Sequence, residues 1–99
     1  MAAFAGDGHA VHALGLASLA AGRAAEARSL FQRALAVGVA GELLAALEND
    51  LGVSLSALGD LTGARAALAR AVEQDPGLAP ARENLRALSP PPEVASPQP

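Results

Sequence analysis

The sequence predicts an all-α chain of antiparallel helix pairs, and three observations carry that expectation. Ala and Leu, both strong helix formers, supply most of a composition that is 52% hydrophobic but only 2% aromatic. Strand-favouring residues are scarce, with no Ile and a single Thr, Thr62. Finally, the chain repeats itself: Gly22 to Leu35 aligns without gaps on Gly59 to Val72, and Leu14-Gly15 falls on Leu51-Gly52 at the same offset of 37 residues. At 99 residues the chain holds one small domain. A domain of that size buries only roughly 60–65% of the surface its unfolded form exposes, so its stability margin is thin.

Helices are expected at about residues 9–21, 24–37, 42–58, 61–74 and 79–88. The first lies in an apolar run, Val11 to Ala21, that has the look of a secretory signal. No Lys or Arg precedes it, and Asp7, His9 and His12 sit where such a signal tolerates little polarity. The run also falls short of the roughly 20 apolar residues that cross a bilayer. A soluble, cytoplasmic protein is expected. Gly22 turns the chain into the second helix, whose N-terminus Glu26 suits by charge. The joint Val37-Gly38-Val39-Ala40-Gly41 leads to the third helix, and Gly59 and Asp60 repeat the turn before the fourth.

Asp75-Pro76-Gly77 ends the fourth helix, because Pro cannot continue it and Gly is expected to take a left-handed turn. The fifth helix tolerates Pro80 near its start, and its Arg and Glu residues suit a solvated cap. The domain plan is therefore an arm (1–8), a helical array (9–88) and a Pro-rich tail (89–99) expected to be disordered. No two prolines of the tail have the Pro-x-x-Pro spacing that polyproline readers recognise.

The repeated residues resemble the tetratricopeptide repeat, whose period of about 34 residues carries a Leu-Gly, a later Ala, an aromatic, a second Ala and a Pro. Repeat one has Leu14-Gly15, Ala27, Phe31 and Ala34; repeat two has Leu51-Gly52, Ala64, Leu68, Ala71 and Pro76. The likeness runs from about His9 to Leu88 and implies a short superhelix of two helix pairs closed by a capping helix. Gly mid-helix costs about 1 kcal/mol relative to Ala, so Gly15 and Gly52 are expected where a partner helix comes too close for a Cβ. Phe31 and Leu68 are the expected plugs. The chain departs from the family at its first-helix aromatics, where Val11, Glu48, Ser18 and Leu55 stand instead. Repeat one also lacks the closing Pro and has three extra residues before repeat two, which loosens or lengthens the joint.

Several function classes find no footing. A net charge of −3, with seven Arg and no Lys, offers no electrostatic footprint for nucleic acid. There is no Cys for a thiolate metal site and no Gly-rich phosphate loop. His9 and His12 share a helix face near Asp7, but no third ligand is fixed and no nucleophile accompanies them. No metal, cofactor or catalytic activity is expected.

The resemblance implies a protein-interaction adaptor with a concave face lined by the first helix of each pair, where a peptide or a partner helix binds. Facing that groove are expected His9, His12, Ala13, Leu16 and Ala20 from repeat one, and Ala46, Asn49, Asp50, Val53 and Ser56 from repeat two. The closing helix adds Glu83 and Asn84. Asn49 and Asn84 are candidates for hydrogen-bonding a ligand's main chain over an apolar floor of Leu16 and Val53. Each of these also reads as an ordinary solvated residue.

One group of the family grips acidic C-terminal peptides with Lys, Arg and Asn. The corresponding residues here are His12, Leu16, Asp50, Pro80 and Asn84, which do not reproduce that clamp. The alternative is a structural or self-assembly module that acts through the N-terminal edge, as a homodimer or docked on a larger partner. There Ala10, Leu14, Ala17 and Ala21 form an apolar stripe with Phe4 as the one large side chain of the arm to cover it.

Overall fold

A computed structural model describes residues 8–39 and 41–89. Those residues form five helices and no strand: α1 (Gly8–Ala20), α2 (Ala24–Val37), α3 (Glu42–Ala57), α4 (Leu61–Gln74) and α5 (Ala79–Leu88). Apart from Gly8 and Ser89, the N-terminal arm and the Pro-rich tail lie outside the described residues.

The two pairs, α1 with α2 and α3 with α4, are closed by the same turn. Gly22 (φ 82°) and Gly59 (φ 87°) take the left-handed conformation that a Cβ disfavours. The amide N–H of Arg23 donates to the Ser18 carbonyl at 2.8 Å and that of Gly22 to Leu19 at 3.0 Å. Thirty-seven residues on, Asp60 donates to Leu55 at 2.9 Å and Gly59 to Ser56 at 3.0 Å. This nested pair of bonds satisfies carbonyls that a helix C-terminus leaves open. Asp60 then caps α4, its Oδ1 accepting from the Gly63 amide at 2.9 Å.

Glycine lets the paired helices touch. A Cβ built on Gly15 would overlap the Phe31 ring, lying 2.8 Å from Cδ1 and 2.9 Å from Cζ. One built on Gly52 would lie 2.7 Å from Leu68 Cγ and 3.2 Å from the Ala64 carbonyl oxygen. Phe31 and Leu68 are buried to within 1% of full enclosure, beside the fully buried Ala27, Ala34, Ala64 and Ala71. The seam is thus small residues at the crossing with one large plug per pair.

The pairs stack through α2 against α3, and their core joins Val11, Phe31, Leu47, Leu51 and Ala67. The longer joint does not float free of this stack. Val39 packs against the core, so close to Gly8 that a Cβ there would meet Val39 Cγ1 at 2.5 Å. One turn differs from expectation. Gly77 is not left-handed; instead the Asp75 side chain accepts from the Gly77 amide at 3.0 Å and makes the turn itself.

Candidate functional site

The first helices form one layer. α1 touches α3 and α3 touches α5, whereas no Cα of α2 comes within 8 Å of one in α4. The stack therefore closes on the α1–α3–α5 side and opens on the other. At its centre α3 is covered over most of its circumference. Its least covered stripe is Ala46, Asp50, Val53 and Ala57, with steps of four, three and four that keep it on one face.

Within this layer the polar residues expected to meet a ligand meet one another. His12 Nε2 lies 2.6 Å from Asp50 Oδ2, with only 15% and 17% of the two side chains exposed. Asn49 Nδ2 donates to Asp50 Oδ1 at 3.2 Å, and Asn84 Nδ2 donates to Asn49 Oδ1 at 3.0 Å. A chain of side-chain hydrogen bonds thus runs from α1 through α3 to α5. His12 also sets its ring against Phe31, centroid to centroid 5.8 Å. Asn49 is buried, and both ends of its amide are engaged within the helix layer.

Two of the four first-helix positions expected to hold an aromatic carry paired polar groups instead, and the other two hold Val11 and Leu55. Glu48, 37 residues on from Val11, is buried and accepts from Arg70 Nε at 3.1 Å. Ser18 is buried opposite Glu26 and donates to its Oε2 at 3.1 Å. Each group loses water but keeps a hydrogen bond, which holds down the cost of burying it.

Between α3 and α5 lies an open groove of about 310 Å³. Gly52, Val53, Ser56 and Ala57 form one wall, Asn84, Ala87 and Leu88 the other, and Leu68 of α4 the floor. Leu68 stands 37 residues on from Phe31 and is the smaller of the two plugs. Of the residues expected on the face, Val53, Ser56 and Asn84 line the groove. Leu16 is 42% exposed on α1, where His9, Ala13 and Ala20 are exposed too, and Glu83 is exposed on α5. Ala57 and Ala87 escaped the sequence reading, although each lies one turn beyond an expected residue, Val53 and Glu83. On the other flank of α1, Leu14 is 42% exposed, Ala17 is exposed and Ala10 is half-buried; Ala21, also exposed, follows the helix end and donates its N–H to the Ala17 carbonyl at 3.0 Å.

Among the described residues, no three His, Cys, Asp or Glu side chains gather to hold a metal ion, and no helix is long and apolar enough to cross a membrane. Compared with known proteins, the chain matches no family model and no curated relative.

Proposed function

We propose that this chain is a non-catalytic protein-interaction module of the tetratricopeptide type that receives a peptide or partner helix on its α1–α3–α5 face. The observation that carries the reading is the groove between α3 and α5. It is apolar along Val53, Ala57, Leu68, Ala87 and Leu88, with Ser56 and Asn84 as polar groups in its walls. Ligand sites have this make-up, an apolar cleft with a few polar groups that fix orientation. Leu16 extends the apolar surface onto α1.

Glycine seams and matching turns at a 37-residue spacing support the family reading. A cytoplasmic setting goes with it, on the polar Asp7, His9 and His12 that interrupt the N-terminal apolar run.

Selection from a random peptide library, followed by calorimetry on the enriched sequences, tests the proposal. Bound peptides should lose affinity when Ala87→Arg or Val53→Arg fills the groove with a charged stem. No enrichment, or ligands indifferent to both substitutions, would overturn it.

A further inference from the structure

α1 is the one helix among the described residues without an Asp, Glu, Lys or Arg. Apart from His9, His12 and Ser18 its side chains are apolar, and so apolar a helix calls for cover over most of its surface. Yet only its flank holding Val11, Gly15 and Ser18 is buried. On the rest, Leu14 and Leu16 are each 42% exposed and Ala13, Ala17 and Ala20 are open. The internal repeat shows what that surface lacks. Thirty-seven residues on from Leu14 and Ala17 stand Leu51 and Ser54, which are 5% and 0% exposed. α2 packs against that helix; no described residue does the same for Leu14 and Ala17 of α1.

We infer that a second copy of this chain covers the face, α1 lying antiparallel on α1 about a two-fold axis. No residue of α1 lines the groove between α3 and α5. Charge selects the occupant. An uncharged helix face that meets a charged one strands the charge away from water. The exposed sides of α2, α4 and α5 carry charges, among them Arg33, Arg70, Glu73 and Arg82. On this chain α1 is the one helix among the described residues with no charge of its own to bury, and a surface that pairs with itself makes a closed dimer.

The spacing sets the register. Ala10, Leu14, Ala17 and Ala21 recur in steps of four, three and four, the seam of an antiparallel helix pair. In that pairing each Leu14 rests on the partner's Ala17, and each Ala10 opposes the partner's Ala21. Large against small lets the axes approach to about 8 Å. A helix only about 20 Å long covers less than the roughly 800 Å² per partner of a standard interface. Interfaces of that size belong to transient complexes.

Sedimentation equilibrium of the full chain across the micromolar range tests this. A monomer–dimer equilibrium is expected, with the dissociation constant raised about tenfold or more, some 1.4 kcal/mol, by Leu14→Glu or Ala17→Arg. Both sites are exposed, so circular dichroism should stay that of the native helices. The chain has no Cys, so an equimolar mixture of Ala10→Cys and Ala21→Cys chains should cross-link faster than either alone. A monomer throughout, as when residues 1–7 take the face instead, overturns the proposal. So does a dimer indifferent to both charge substitutions, or one whose mixed cysteine chains cross-link no faster than the separate ones.

Discussion

His12 and Asp50 join the first and third helices through a contact of 2.6 Å across 38 residues of sequence. The carboxylate also accepts from Asn49 Nδ2, and Asn49 in turn accepts from Asn84. Asp50 is thus the acceptor on which two part-buried donors converge. Removing it by Asp50→Ala leaves both short of a partner, at a cost of about 1–3 kcal/mol. Thermal melting followed by circular dichroism should show that loss, with Glu83→Ala, on the exposed side of α5, nearly silent. Equal melting temperatures for the two variants would contradict the hydrogen-bond chain.

The glycine seams make a sharper prediction, because helix propensity alone would favour replacing them. Gly52→Leu forces a branched side chain into the space of Leu68 and the Ala64 carbonyl, and should cost roughly 1–3 kcal/mol or more. Gly15→Ala adds only a methyl group, but that methyl overlaps three atoms of the rigid Phe31 ring. It should lower stability despite the gain of about 1 kcal/mol in propensity. Chemical denaturation measures both. A stabilised Gly15→Ala would mean that the helices have room to part.

Glu48 and Arg70 form a pair whose two ends differ in burial, the side chains being 11% and 50% exposed. Arg70→Ala leaves the carboxylate enclosed. It should cost about 1 kcal/mol, well below the figure for a fully buried pair because the guanidinium is half in water. Repeat one holds Val11 at the equivalent place, 1% exposed. Glu48→Val should therefore be tolerated, and in its presence Arg70→Ala should cost less than half as much. A double-mutant cycle reads the coupling, and a cycle that sums to zero would remove the pair's role.

Ligand charge gives a further prediction. α1 and α3 carry no Lys or Arg, while Asp50 and Glu83 bring carboxylates to the face. A peptide ending in several acidic residues should give no measurable heat in calorimetry. Peptides selected for binding should instead be apolar with a basic residue, and Glu83→Arg should weaken them. Micromolar binding of the acidic peptide would reverse this reading of the face.

Helix boundaries and seams were legible in the residues themselves, since capping, turn chemistry and propensity act over a few positions. The five helices end within one residue of where spacing placed them, and Gly15 and Gly52 mark the close crossings. Gly77 was the exception. Asp75, two residues earlier, makes the turn with its own side chain, an option that glycine's freedom conceals. Who satisfies whom across the layer was another matter. Glu48 with Arg70, His12 with Asp50 and Asn49 with Asn84 are 22, 38 and 35 residues apart. A hydrogen bond forms only within a few tenths of an ångström of its preferred length, and periodicity does not resolve distance that finely. The sequence by itself determined the helices and which of their faces are apolar. Tertiary packing decided that Asn49 and Asn84 turn to each other, that the groove opens beside Leu68, and that Leu14 is left uncovered.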